Sequence, residues 1–304
     1  MNFPIISRRV EISYLARAMG GLLRSKVGVV FGVSNARSLA WGVARAWADA
    51  GSRVHVVCQS ERFVGKVEAM VADEAPRSEG GIAGVHVCNV SDDGQIAHLF
   101  EALARDDEAL RCGAPLDAVL HAVAHASPKA MKEGTLLDTR RVDFAAAHDV
   151  SAYSLIALAR GAAPLMDRRR TGPGDDQSDA RGPGGSITAL TYLGSSAAVP
   201  GYNVMGCAKA SLEAAARGLA LELGPRNGTR VNCLSPGPVS TLASRGIRDF
   251  VDLKTAANQK SPLGRTATNA EVGAAAVFLA SDGAAAVTGQ VIFLDGGLSS
   301  VAPL

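Results

Sequence analysis

Short apolar runs alternate with amphipathic stretches almost from end to end of this 304-residue chain. Val27–Phe31 is a β-branched run that stops at Gly32, and Ser38 to Ala50 then spaces Leu39, Val43 and Trp47 four apart, one face of a helix. Further strands are predicted over Val54–Cys58, Gly84–Val90, Leu116–Val123, Ser186–Thr191, Thr229–Leu234 and Val291–Leu294. Helices are predicted over Glu61 to Ala75, Asp92 to Ala104 with Ser91 as its cap, Ala145 to Met166, and Gly206 to Leu223. Such alternation means parallel strands joined by helical crossovers. The expected fold is α/β, a doubly wound parallel sheet of about seven strands with helices on both faces.

Residues 20–304 carry no dividing linker and no internal repeat, so they read as one domain of Rossmann-like type. The stretch before it, residues 1–19, carries Arg8, Arg9 and Arg17 against the single acid Glu11. It reads either as an organelle transit peptide, hence a mitochondrial or plastid matrix, or as a plain extension of a cytoplasmic bacterial protein. Residues 167–185 are dense in Gly, Pro and charge and are expected to form a flexible surface insertion. Thr241 to Pro262 is an excursion after the sixth strand, placed where it can cover a ligand beyond the strand ends.

Composition removes several classes of function. A formal net charge of +2 supplies no basic field for nucleic acid. No run approaches the roughly 18 apolar residues of a membrane span. The five cysteines, Cys58, Cys88, Cys112, Cys207 and Cys233, are scattered without a C-x-x-C pair, which argues against a disulfide framework and a zinc site and for a reducing compartment.

Candidate chemistry sits at the predicted strand ends. The turn from Gly32 to Ser38 enters the first helix, where backbone N–H groups and the positive helix end can face a pyrophosphate. The literal G-x-G-x-x-G fingerprint is absent. After the second strand, Gln59 stands where an acid usually holds the adenosine ribose, and Arg62 and Lys66 come too late for a basic pair, so NADH is favoured over NADPH. Asn89 and Val90 close the third strand, where an adenine edge is expected. Tyr202 and Lys209, separated by six residues, fall on one helix face directly after the fifth strand if that helix begins near Asn203. A phenol there can stabilise the oxyanion formed by conjugate addition of hydride, and an ammonium can hold the nicotinamide ribose. Carbonyl-reducing members of this fold place a serine about thirteen residues before the tyrosine. Here that position is Ala189, while Tyr192 precedes Tyr202 by ten, a pairing better suited to conjugate than to ketone reduction.

On these residues the chain resembles the short-chain-dehydrogenase-type enoyl-acyl-carrier-protein reductases of dissociated fatty acid synthesis. The matching segments are GVSNARSLAWGVA (residues 32–44), CQSERFVGKVE (58–68), AHDVSAYSLIALA (147–159), TYLGSSAAVPGYNVMGCAKASLEA (191–214), RVNCLSPGPVSTLASRGIRDF (230–250) and LDGG (294–297). The resemblance implies NADH-dependent reduction of the trans-2 double bond of an enoyl thioester on acyl carrier protein, by a homotetramer. It places the active-site tyrosines on Tyr192 and Tyr202 and the lysine on Lys209. It places cofactor contacts on Gly32, Ser38, Leu39, Gln59, Asn89, Val90, Ala122, Pro238, Val239 and Thr241. Substrate contacts fall on Ala124, His125, Ile247 and Phe250, beside Tyr192. Departures are Asn89 for an aspartate, Ala122 for a serine, and His125 for an aromatic residue that lines the pocket; a catalytic role for His125 stays open. Two other readings stand beside this one: a short-chain reductase of acyl-CoA or another enone, and a non-catalytic subunit of a larger assembly.

Overall fold

In the computed structural model, residues 19–74, 80–127, 129–133, 135–167, 184–242, 244 and 250–301 are described. The Arg-rich extension before Met19, most of the 167–185 insertion and Ile247 lie outside the described residues.

Seven strands form one sheet: β1 Val27–Phe31, β2 Arg53–Cys58, β3 Gly81–Val87, β4 Ala118–His121, β5 Ser186–Leu190, β6 Arg230–Pro236 and β7 Val291–Leu294. Their order is β3-β2-β1-β4-β5-β6-β7 and every adjacent pair is parallel. The chain reverses direction across the sheet between β1 and β4, the switch point at which such sheets open a crevice. The central strands β1, β4, β5 and β6 are buried throughout, which explains their unbroken apolar runs. The edge strands β3 and β7 are only partly buried.

The helices of eight residues or more among the described residues are α1 Leu39–Asp49, α2 Val64–Ala72, α3 Asp93–Asp106, α4 Arg141–His148, α5 Ser154–Ala162, α6 Asn203–Asn227, α7 Phe250–Lys260 and α8 Asn269–Ala280. Two cores form, one per face. On one, Trp41, Val43 and Trp47 of α1 and Val272, Ala276 and Val277 of α8 cover Val30, Val54 and Leu120. On the other, Leu99 and Phe100 of α3, Leu155 and Leu158 of α5, and Leu212 of α6 cover Val29, Val119, Ile187 and Val231. Burial of this order, about 25 cal/mol per Å² of apolar surface, is the main force holding helices to sheet.

Several expected boundaries shift. β3 begins at Gly81 and ends at Val87, so Asn89 and Val90 sit in the following loop. α3 is capped by Asp92 and not Ser91: its Oδ1 accepts from the Gly94 and Gln95 N–H groups, and a carboxylate is the better partner for a helix N-terminus. The long helix expected from Ala145 begins at Arg141, passes through a π-helical turn at Asp149–Tyr153, and ends at Ala162. α6 is longer than expected at both ends, closing at Gly228 with φ +73°. β4 stops at His121, leaving Ala122 to His125 as loop.

Candidate active site

Beyond the C-terminal ends of β1, β4, β5 and β6 lies a cavity of about 470 Å³. Leu39 from the start of α1, Ala122, Ala124 and His125 after β4, and Tyr192 after β5 line it. Tyr202 at the N-cap of α6, Met205 and Lys209 within it, Pro238, Val239 and Thr241 after β6, and Phe250 at the start of α7 complete the wall. Eleven residues picked from sequence therefore meet in one space: Leu39, Ala122, Ala124, His125, Tyr192, Tyr202, Lys209, Pro238, Val239, Thr241 and Phe250. A volume near 500 Å³ with a mostly apolar wall and a few convergent polar groups is typical of a small-molecule site. A larger groove, about 730 Å³, runs along the outer side of α1 past Arg37, Arg45 and Asp49. It shares only Val239 with the first cavity and holds neither tyrosine nor Lys209, so the chemistry is assigned to the smaller one.

Local sequence builds the tyrosine pair. Leu193–Ser195 makes a tight turn after β5, and α6 starts close against it. Gly194 lies flat on the Tyr202 ring, where an added Cβ would overlap the ring carbons, and Gly206 lets α6 approach the Gly194 carbonyl. The Tyr192 and Tyr202 rings meet edge-on with centroids 4.8 Å apart. Asn203 takes φ +36°, in the left-handed region that Asn tolerates better than most residues, and its side-chain amide donates to the Ala130 carbonyl. Backbone in such a region beside a reactive residue is held by its surroundings, here by that bond and by the packing of Tyr202 against Ala130 and Met131.

The wall after β4 is held by the π-helical turn. Ser151 Oγ accepts from the His125 N–H at 3.0 Å and donates to the His125 carbonyl at 3.3 Å. Ser154 Oγ donates to the Val150 carbonyl at 2.7 Å, so it accepts from His121 Nε2 at 2.7 Å. The π-turn and the first residue of α5 thus aim two hydroxyls at β4 and the loop after it, and π-turns often occur at such functional places.

Burial sets the electrostatics. It pushes the Tyr202 phenol far above its ordinary value, helped by the nearby Tyr192 and Glu213, and pushes Tyr192 up to about 12. Both are neutral donors at physiological pH. Burial draws Lys209 down to about 8, against the opposing pull of Cys233 and Glu213. Lys209 Nζ donates to the Leu190 carbonyl at 2.7 Å. His121, fully enclosed, is drawn down to about 3 by burial and by Lys209.

Not every predicted cofactor residue lines the cavity. Gly32 adopts φ +94° and packs on the Ala122 carbonyl, leaving no room for a Cβ. The Gly32 and Val33 N–H groups both pair with the Val57 carbonyl, at 3.0 and 3.1 Å, which fixes the start of the turn against β2. The first N–H groups of α1 have no intrahelical partner, and of these the Trp41 N–H donates to Ser38 Oγ at 3.2 Å. Ser38 caps α1, accepting from the Trp41 N–H and donating to the Asn35 carbonyl. Gln59 is exposed just past β2, and the Arg62 guanidinium lies over the Phe63 ring, 4.5 Å from its centroid. The Asn89 amide oxygen accepts from the Ser91 N–H at 3.2 Å, and Val90 is buried beside it. Met131, Met205, Thr191 and Ser244 line the cavity without having been singled out, and no spacing pattern marked them.

A parallel sheet opened at its β1/β4 switch point, with a tyrosine and lysine of one helix and a capped first helix around one cavity, defines a dinucleotide-dependent oxidoreductase of the short-chain dehydrogenase/reductase class. The family model described as enoyl-(acyl carrier protein) reductase matches residues 32–299. The chain belongs to that family. It is 39% identical over 276 residues to an NADH enoyl-acyl-carrier-protein reductase of Bacillus cereus, a match covering 91% of this chain and 97% of that one. Among solved structures, the Anaplasma phagocytophilum reductase in complex with NAD aligns with a TM-score of 0.80 at 36% identity, covering 93% of this chain and 97% of that one. The Bacillus cereus reductase, solved with NADP+ and indole naphthyridinone, aligns at 0.81 and 38% identity, covering 93% and 99%.

Proposed function

We propose that this chain reduces the trans-2 double bond of an enoyl thioester carried on acyl carrier protein, with NADH as reductant. The observation that carries the proposal is the convergence of Tyr192, Tyr202 and Lys209 in one largely apolar cavity at the sheet's switch point. The site's shape suits the cofactor: Gly32 keeps the loop flat on Ala122, and α1 directs its first turn toward the cavity through Leu39. Gln59 supplies a neutral partner for an unphosphorylated ribose, and Arg62 is engaged with the Phe63 ring, which supports NADH over NADPH.

The nicotinamide, when bound, supplies the hydride that reaches the substrate β-carbon. As that carbon gains electrons, the thioester oxygen takes up negative charge. The Tyr202 hydroxyl, held neutral by burial, donates to this oxygen and lowers the barrier. Tyr192 flanks the thioester side, and the enolate collapses as its α-carbon takes a proton from water, completing the saturated product. Lys209, anchored on the Leu190 carbonyl, has donors left for the nicotinamide ribose hydroxyls. His125, Ala124 and Phe250 bound the acyl side, with Ile247 assigned there by the family resemblance.

We further propose a homotetramer of one-domain subunits spanning residues 20–304. Exposed apolar side chains on α4 and α5 (Val142, Phe144, Ile156) and on α8 and β7 (Phe278, Phe293) support two self-association faces. Among the described residues no helix is long and apolar enough to cross a membrane. All five cysteines are unpaired, which supports a reducing, cytoplasmic setting. The discriminating assay follows oxidation of NADH and of NADPH with crotonyl thioesters on carrier protein and on coenzyme A, and with a simple ketone. Preference for the carrier-bound enoyl substrate with NADH is expected; turnover of the ketone in preference to every enoyl thioester would replace this reading with carbonyl reduction.

A further inference from the structure

Along one wall of the cavity, two successive residues at the β5 end are tied to two successive turns of α6. The Leu190 carbonyl accepts from Lys209 Nζ at 2.7 Å. Thr191 Oγ1 donates to Glu213 Oε1 at 2.6 Å, in a buried contact. Residue 192, next along, is the cavity tyrosine. Lys209 and Glu213 stand four apart, one turn, on the same helix face. An isolated buried carboxylate is costly, and this one has no role in the chemistry described above. The Thr191 N–H meanwhile pairs with the Leu234 carbonyl at 2.8 Å, so Thr191 joins β5, β6 and α6 at one point.

We propose that Thr191 and Glu213 are positioning residues, which lock the register of α6 on β5 and keep the Lys209 ammonium charged and aimed at the cofactor side of the cavity. The proposal rests on the reading of Lys209 as the cofactor-ribose ligand. The groups facing Lys209 are Glu213 of its own helix, Cys233 of β6 and His121 of β4, with Tyr202 and Tyr192 lining the same cavity. Cys233 is a neutral thiol, pushed up to about 12 by burial, and His121 is neutral. Glu213 is the one acidic side chain in this set. The two side chains are not paired with each other: Lys209 bonds to Leu190 and Glu213 to Thr191, so Glu213 acts on the ammonium only through its field and through the placement of α6. Thr191→Val removes the bond with little change in volume, and Thr191→Ser keeps it.

The test measures NADH binding by fluorescence across pH, without substrate, beside steady-state kinetics with an enoyl thioester. NADH affinity of the wild type is expected to fall as pH rises through the Lys209 transition near 8. Glu213→Gln is expected to move that midpoint down by about one unit, the low end of what an opposite charge nearby contributes. Thr191→Val is expected to weaken NADH binding and kcat/KM about tenfold with an unchanged circular dichroism spectrum, and Thr191→Ser to restore both. An unmoved midpoint in Glu213→Gln, or Thr191→Val binding NADH like the wild type, overturns the proposal. If Glu213→Gln does not fold, the Thr191 pair decides alone. An enzyme that binds NADH with these shifts but reduces no enoyl thioester overturns the substrate assignment and leaves the positioning role standing.

Discussion

Tyr192 meets Tyr202 edge-on, ring centroids 4.8 Å apart and planes inclined at 64°, so that two phenols reach one cavity from different segments. The packing belongs to the rings and the chemistry to the hydroxyls. Tyr202→Phe should therefore retain the fold and melting behaviour while lowering kcat by about 10²–10³-fold, the usual cost of one oxyanion donor. Tyr192→Phe should cost less, since its hydroxyl lies on the flank. Stopped-assay kinetics with thermal melts on both variants check the separation.

Gly194 offers a test of geometry without touching a polar group. A methyl there would overlap the Tyr202 ring, and the ring cannot yield inward because α6 approaches the Gly194 carbonyl through Gly206. Gly194→Ala should displace the phenol and lower kcat by about tenfold or more, in line with the sensitivity of reacting groups to small misplacement. Gly218, on the same helix with open space around its Cβ position, should accept alanine with full activity.

Alkaline pH should separate activity from stability. Lys209 is drawn from 10.5 to about 8 in the folded state, so between these values the unfolded chain binds more protons than the native one. Stability contributed by this group then rises with pH over that window. Activity that needs the ammonium falls over the same window. The prediction is a declining alkaline limb in kcat/KM near pH 8 with no matching loss in melting temperature.

Acid pH should act elsewhere, at the opposite end of β2. There Asp107 accepts from Arg53 Nε at 2.6 Å and from His55 Nε2 at 2.8 Å, and His55 Nδ1 meets His86 Nε2 at 2.9 Å. Burial would raise Asp107, but Arg53, the Leu110 N–H and His55 outweigh it and hold the carboxyl at about 2. Burial draws His86 from 6.5 to about 4, so the unfolded chain takes up the extra proton first as pH falls. Stability from His86 is present above 6.5 and lost toward 4, and Asp107 adds a loss of the same sign lower down. Urea melts between pH 7 and 4 should show a declining free energy of unfolding, with a shallower decline in His86→Gln.

Some of this was legible in the chain and some was not, for physical reasons. β1 falls on the residues expected, because a buried apolar run ended by a glycine has one way to be covered; β7 does so too, marked by its short apolar run before Asp295 although its edge position leaves it only partly buried. β3 was misplaced because an edge strand with mixed burial carries a weak pattern. The π-turn at Asp149–Tyr153 has no period of its own, so the helix around it read as continuous. Ser91 and Asp92 are both good caps, and only coordinates separate them. Tyr202 and Lys209 stood out by spacing after a strand. Glu213 did not: an acid one turn past a lysine reads as a solvated pair, and only the depth of α6 against β5 makes it a buried carboxylate.

The central claim is that these side chains reduce a conjugated thioester at the expense of NADH. The most direct measurement is the initial rate of NADH oxidation with a trans-2-enoyl-acyl carrier protein, for the wild type and for Lys209→Ala. The account predicts saturable turnover yielding the saturated acyl thioester, and its collapse in Lys209→Ala. Absence of turnover by a folded, NADH-binding wild type, or an undiminished rate in Lys209→Ala, would contradict it.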